Sequence, residues 1–481
     1  MSGELDFERF GYDAHRFVQW VLERAGEPEE SSFAKLLREH FGTDPADFPV
    51  TRENIAAYDR PNLQLALDAY LEAPGREHTL VGFGGAHRMM EASLAALVGV
   101  ESSHLHLGIG PVERTIIELD DGRTLTCVGS GLYLVSDGED RLALHFGQRP
   151  EHYGGSGLQL EVMAPRPETG ERFIADLRGL MVDRNVYRGK MLALEGGEEG
   201  PYGAVSVRFL SRPATVREDI VLPKSLLDAI DLNTIEFARV REHLARSGMH
   251  LRRGLLLHGP PGTGKTLTVG YLANALADRT VVVLTGGSLG LVSTACAMAR
   301  DLQPAMVVLE DVDLVAAERT YSFGGGSLLF ELLNEMDGIG GDADVVFVMT
   351  TNRADLLEPA LVSRPGRVDQ AIELPLPDPE ERGRLLELYC SGVDVELQHP
   401  GRVVERTGGA SPAFIRELVR KASVHAAVAG VDTVSDAHFD AALTGLEQGG
   451  LLTRRILGAE GAADAGGVGE RGPEAFEGWE E

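Results

Sequence analysis

The stretch that decides the fold is "RGLLLHGPPGTGKTLTVGYLANAL", residues 253–276. Its first part is a short, almost wholly apolar run, and its last part carries apolar residues at helical spacing. Between them "GPPGTGKT", Gly259 to Thr266, matches G-x-x-x-x-G-K-[ST] in the strand-to-helix context that gives the pattern meaning. Gly262 and Gly264 let backbone N–H groups curl around an anion. Lys265 is placed to reach β- and γ-phosphates, and the Thr266 hydroxyl to bind Mg²⁺. The helix start adds partial positive charge. Pro260, Pro261, Thr263 and Leu267 complete the expected nucleotide-binding stretch.

Working outward, apolar runs alternate with helical ones: "TVVVLTG" (280–286), "STACAMARDL" (293–302), "MVVLE" (306–310) and "VVFVMTTN" (345–352). Short apolar strands between helices predict an α/β fold with a parallel sheet buried on both faces. The third run ends in "EDVD", residues 310–313. Carboxylates at the end of a buried strand need a cation or a proton to manage them. Beside a phosphate loop, one such acid holds the metal's water shell and the next polarises the attacking water. Glu310 is expected in the first role, with Thr266, and Asp311 in the second. Asp313 is a third acid, expected to be structural or to face a neighbouring subunit.

With these residues placed, residues 213–447 resemble the AAA family of ATPases, a P-loop NTPase module of parallel sheet and small helical lid. "TTNRADLLEPALVSRPGRVD" (350–369) is similar to that family's second region of homology. The resemblance implies that Asn352 is a sensor of the γ-phosphate or the water. It implies that Arg364 and Arg367 are fingers reaching the neighbouring subunit's nucleotide, and that Tyr389 contacts adenine. It further implies ATP and Mg²⁺ as cofactors and a homo-oligomeric ring of about six subunits. The family's usual order is Asp then Glu. The inverted Glu310–Asp311 order and "RPGRVD" resemble the branch of the mitochondrial Rieske-protein translocase. The segment 287–303 lacks the aromatic paddle of threading unfoldases, although Leu289 and Leu291 could line a pore. Tyr321 and Phe323, in the glycine-rich loop 318–330, are the candidates for substrate contact.

The rest of the chain is less specific. Helical periodicity in 14–26, 33–42 and 62–73 predicts a helical region to about residue 80. Residues 81–212 read as an α+β domain, with hairpins around "DDG" (120–122) and "SDGED" (136–140). The ATPase subdomain is expected over 213–377, the lid over 378–447, and a disordered acidic, glycine-rich tail over 448–481. "HLH" (104–106) sets two imidazoles on one strand face but has no third ligand at metal spacing, and His145 and His152 add none.

Lys+Arg total 45 against 74 Asp+Glu, a formal charge of −29. Such a chain would be repelled by nucleic acid and anionic lipid. Cys127, Cys296 and Cys390 follow no metal spacing, and no apolar run reaches the roughly 18–20 residues that span a bilayer. The expectation is a cytoplasmic enzyme whose N-terminal region, 1–212, takes a protein client or adaptor, with no nucleic-acid or membrane partner. Two functions stay open: an ATP-hydrolysing ring that remodels a protein, and an ATP-gated scaffold that turns over little.

Overall fold

The computed structural model describes residue 16 and residues 31–84, 93–98, 108–148, 157–196, 205–313, 334–336, 338, 340, 342–355 and 368–448. The chain forms two compact units, Met1–Val186 with Glu195–Phe209, and Tyr187–Leu194 with Leu210–Glu481.

The first unit runs α1 (Ser32–Phe41), β1 (Val50–Ala56), α2 (Arg60–Leu71), β2 (Arg76–Gly84), α3 (Leu94–Val98), β3 (Gly108–Gly110), β4 (Glu113–Glu118), β5 (Thr124–Asp137), β6 (Asp140–Gln148), β7 (Gly157–Met163) and α4 (Pro167–Asp183). Its antiparallel sheet has the order β1-β7-β6-β5-β2-β3, with β4 added along β5. Both expected hairpins are present, β4 to β5 through Asp120–Gly122 and β5 to β6 through the left-handed Gly138. Strand alternation explains why both faces are covered. Tyr133, Val135, Leu142 and Leu144 point to a core closed by Leu67, Tyr70 and Phe173 of α2 and α4. Leu132, Leu134 and Ala143 point to one closed by Phe33, Leu37 and Leu94 of α1 and α3.

The boundary expected at residue 80 falls inside β2, and β1 pairs with β7, Val50 opposite Met163. Strands on either side of that boundary therefore share one sheet. The reason is a strand, β1, whose partner lies far along the chain, which local periodicity does not register. Residues 14–26, apart from Arg16, lie outside the described residues, as do His104, His106, His152 and the tail beyond Gln448.

From residue 191 the chain runs β8 (Met191–Gly196), β9 (Val205–Leu210, of which only Leu210 belongs to the second unit), α5 (Lys224–Asp231), α6 (Phe237–Arg239), α7 (Arg241–Arg246), β10 (Arg253–His258), α8 (Lys265–Ala275), β11 (Thr280–Thr285), α9 (Val292–Asp301), β12 (Ala305–Glu310), β13 (Val345–Thr351) and β14 (Gln370–Glu373). The parallel strands of the second unit are ordered β14-β10-β13-β12-β11-β8. Strand β8 was not expected here: its residues Met191–Ala193 pair with Val281–Val283. Strands β12 and β13 lie inside the sheet and are apolar along most of their length, as a two-face burial requires. The lid follows as α10 (Pro379–Cys390), β15 (Val395–Glu396), α11 (Pro400–Arg406), α12 (Pro412–Val428), β16 (Val434–Ser435) and α13 (Asp436–Gln448). Asp378 and Glu381 form a capping box that starts α10. The lid has a core of its own around Leu385, Ile415, Leu418, Phe439 and Leu443.

Candidate nucleotide site

The phosphate loop leaves β10 at His258. Gly259 has φ 139°, and a Cβ there would stand 2.4 Å from the Leu374 carbonyl oxygen. Gly262 has φ 78°, and a Cβ would meet Ser411 Oγ at 2.8 Å and Ala413 Cβ at 2.9 Å. Both positions thus demand glycine for conformation and for space. Thr263 Oγ1 donates to the Pro260 carbonyl at 2.9 Å. Lys265 opens α8 and is buried, its Nζ donating to the carbonyls of Gly259 and Pro260 at 2.8 Å each. Burial pushes this ammonium below the usual lysine range, and the charges of Asp311 and Asp313 pull it back.

Glu310 closes β12. Its Oε1 is buried and has no hydrogen-bond partner. Burial pushes the carboxyl above the usual range, its hydrogen bond with Thr266 opposes that, and the neighbouring Asp311 charge adds to it. A buried, unpaired carboxylate oxygen beside a hydroxyl is a hard-oxygen pair that fits a magnesium ion. Asp311 is aimed elsewhere. It has φ 53°, the only positive φ outside glycine among the described residues. Its Oδ1 accepts from Asn352 Nδ2 at 3.3 Å. Asp313 Oδ1 accepts from Thr351 Oγ1 at 2.7 Å and from the Asn352 amide at 3.2 Å. Asp313 is therefore a brace within its own chain.

The loop opens on a cleft of about 960 Å³, which Asp311 lines and Glu310 and Asp313 do not. Pro261, Gly262, Thr263, Gly264, Lys265, Thr266 and Leu267 line it, with Asp311, Asn352 and Tyr389. Gly259 and Pro260 shape the loop from behind. Arg364 and Arg367 lie outside the described residues, as do Tyr321 and Phe323. Leu289 does not face a pore: it is buried in the 3-10 turn Gly286–Leu291, where it packs inward. Among the described residues no three His, Cys, Asp or Glu side chains gather as a metal cluster.

Sequence reasoning missed the other wall. Asp219 to Leu222 line the cleft, and so do Pro412, Ala413, Arg416 and Arg420 of α12. Ser411 caps that helix, its Oγ accepting from the Phe414 amide at 3.2 Å, with Pro412 as first residue. This Ser-Pro start was a readable signal. It placed a helix but not what the helix faces.

Residues 255–376 match the family model described as ATPase family associated with various cellular activities (AAA). Among curated relatives, the chain is 34% identical over 245 residues to the ATP-dependent zinc metalloprotease FtsH 3 of Sorangium cellulosum, covering 46% of this chain and 39% of that protein. It is 34% identical over 199 residues to the proteasome-activating nucleotidase of Methanosphaerula palustris, covering 38% of this chain and 48% of the relative. The nucleotidase of Methanocella arvoryzae is 28% identical over 330 residues, 60% of this chain and 75% of that protein. The chain thus spans less than half the length of the first two. The sheet, the loop and this match together make residues 255–376 an AAA-type P-loop ATPase module, whose cofactors are ATP and Mg²⁺.

Proposed function

We propose that the chain hydrolyses ATP, assembles as a homo-oligomeric ring of about six subunits and uses the cycle to remodel or translocate a protein partner. One observation carries the hydrolytic reading: Asp311 lines the cleft with the phosphate loop and meets Asn352 there, directly after Glu310, whose buried Oε1 has no partner. Bound MgATP would supply the phosphoryl group, with its cation screening the oxygens. Lys265 would release its two loop carbonyls and bind the β- and γ-phosphates. Thr266 and Glu310 Oε1 would hold the metal. Asp311 would accept a hydrogen bond from the attacking water, and Asn352 would fix that carboxylate and sense the γ-phosphate.

Arg364 and Arg367 are proposed as fingers from the adjoining subunit, so a lone subunit would be an incomplete enzyme. The first unit is proposed as the docking region for a client or adaptor. The described relatives are a metalloprotease and a proteasome-activating nucleotidase, which favours a protein as the partner. The Glu-Asp order keeps the Rieske-translocase branch as the nearer proposal for how that protein is handled, without an aromatic paddle. No described helix is long and apolar enough to cross a membrane, and a cytoplasmic site of action is proposed.

Phosphate release by the purified chain tests this. Asp311→Asn should lower turnover roughly a hundredfold or more while ATP binding persists. Lys265→Ala should abolish binding. A parent that binds and assembles on ATP but releases no phosphate would replace hydrolysis with the scaffold reading. Full turnover by an isolated single subunit would remove the ring.

A further inference from the structure

Neighbouring residues on a strand point to opposite faces, so Glu310 and Asp311 should not serve one site. The β12–β13 ladder shows how Asp311 leaves that alternation. Ala305 N donates to the Asp344 carbonyl at the start of the ladder. The same spacing carried forward would give Asp311 N to the Thr350 carbonyl. Instead Val312 N takes that carbonyl at 3.0 Å, and Asp311 N takes the Thr350 hydroxyl oxygen, also at 3.0 Å. Asp311 is thus one extra residue in the ladder, a bulge at the strand end. Its left-handed backbone turns the side chain away from the strand's alternation and onto Asn352.

A left-handed aspartate is uncommon and persists where its surroundings hold it. Here the holder is specific. Thr350 is buried, and its Oγ1 accepts the one amide that the bulge removes from the ladder. Thr351, the next residue, faces the other way. Its Oγ1 donates to Asp313 and accepts from the Arg353 amide, which braces the turn carrying Asn352. Two adjacent hydroxyls therefore fix the two partners of the Asp311–Asn352 contact from opposite faces of β13.

Resting on the ATPase reading above, we infer that Thr350 is a positioning residue, whose hydroxyl makes the bulge that aims Asp311 at the water. It touches neither nucleotide nor water itself. Thr350→Val keeps the side chain's outline and leaves the Asp311 amide without its acceptor. Thr350→Ser keeps the acceptor.

The expected result is a kcat for phosphate release lowered roughly ten- to a hundredfold in Thr350→Val, with KM and the Kd for ATP little changed. Thr350→Ser should restore most of the rate. In an Asp311→Asn background, Thr350→Val should lower the residual rate no further, because the group it aims is gone. Parent-like kcat in Thr350→Val, or a Thr350→Ser as slow as the valine variant, would overturn the inference. A crystallographic arm stands apart from turnover. Asp311 should leave the left-handed region in Thr350→Val and stay there in Thr350→Ser; a positive φ in both variants removes the role. If the parent itself releases no phosphate, the ATPase reading fails, and this second arm still decides what holds Asp311.

Discussion

Glu310→Gln separates what the site needs from what the fold prefers. Glu310 Oε1 is buried with no donor to meet it. Leaving a buried polar atom unpaired costs about 1–3 kcal/mol, and more when it is charged. Glutamine keeps the shape, carries no charge and can still hydrogen-bond Thr266. The variant should therefore be more stable than the parent at pH 8, by roughly 1–2 kcal/mol. For a unit of this size that is roughly 2–4 °C in the melting transition. The pH dependence has a definite sign. The folded pKa of Glu310 is raised above its ordinary value by burial, so folding favours the protonated acid. Its contribution is best below the unfolded pKa and declines as pH rises through the folded pKa. The advantage of glutamine should accordingly shrink as pH is lowered through the raised pKa, where the parent becomes neutral too.

MgATP should reverse the ranking. The parent would gain about 2.7 kcal/mol at a ligand concentration a hundred times Kd, and the variant less, because it has lost the anionic metal ligand. Differential scanning calorimetry at two pH values, with and without MgATP, reads all of this. The chain has two units, so the transition to follow is the one that MgATP raises in the parent. If Glu310→Gln melts no higher than the parent at pH 8, or if MgATP raises both alike, Glu310 is not the metal's acid.

Gly262→Ala places a methyl 2.8 Å from Ser411 Oγ at a residue with φ 78°. The two penalties together should destabilise the second unit by roughly 2–4 kcal/mol in urea unfolding and weaken ATP binding. Arg279 is fully buried, its Nη2 2.6 Å from Asp344 Oδ1, and its Nη1 donates to the carbonyls of Ala305 and Asp344. Arg279→Met should cost about 3–5 kcal/mol in the same assay by leaving Asp344 with only the longer Arg241 pair at 3.7 Å, and adding Asp344→Asn should recover part of that loss.

What the sequence made readable follows from how local each feature is. Gly259 to Thr266 are contiguous, and each has a role that a neighbour within a few residues defines, so the loop could be placed without tertiary information. The same holds for β12 and β13, whose apolar runs mark strands buried on both faces. Strands β1 and β8 escaped because each finds its partner across the chain, Val50 at Met163 and Met191 at Val281. The far wall of the cleft escaped for a related reason. Asp219 to Leu222 and the start of α12 are separated by nearly the whole module, and only folding brings them to the loop. The aim of Asp311 was unreadable too, because alternation alone would point it away, and the bulge that corrects this depends on a threonine hydroxyl from the next strand.

The cleft also has a mechanical property that neither wall has alone. Ile220 and Leu222 pack into the core of the sheet, while Val221 between them packs into the core of the lid. On the opposite side the Ala413 amide of α12 donates to the Gly262 carbonyl at 3.2 Å, so the first turn of α12 rests on the phosphate loop. Two separate apolar cores thus touch at residues 220–222 and at the Gly262–Ala413 hydrogen bond, both bordering the space a nucleotide would fill. Packed cores rearrange as bodies rather than bend, so differential binding at such a seam shifts their relative placement. A non-hydrolysable ATP analogue should therefore slow amide exchange at residues 220–222 and 413–414 together with the loop amides, while the lid core around Leu418 and Phe439 stays as it was. Protection confined to residues 259–266 would mean that the nucleotide is read by the sheet alone, and the lid would then have no part in passing the state of the site to anything beyond it.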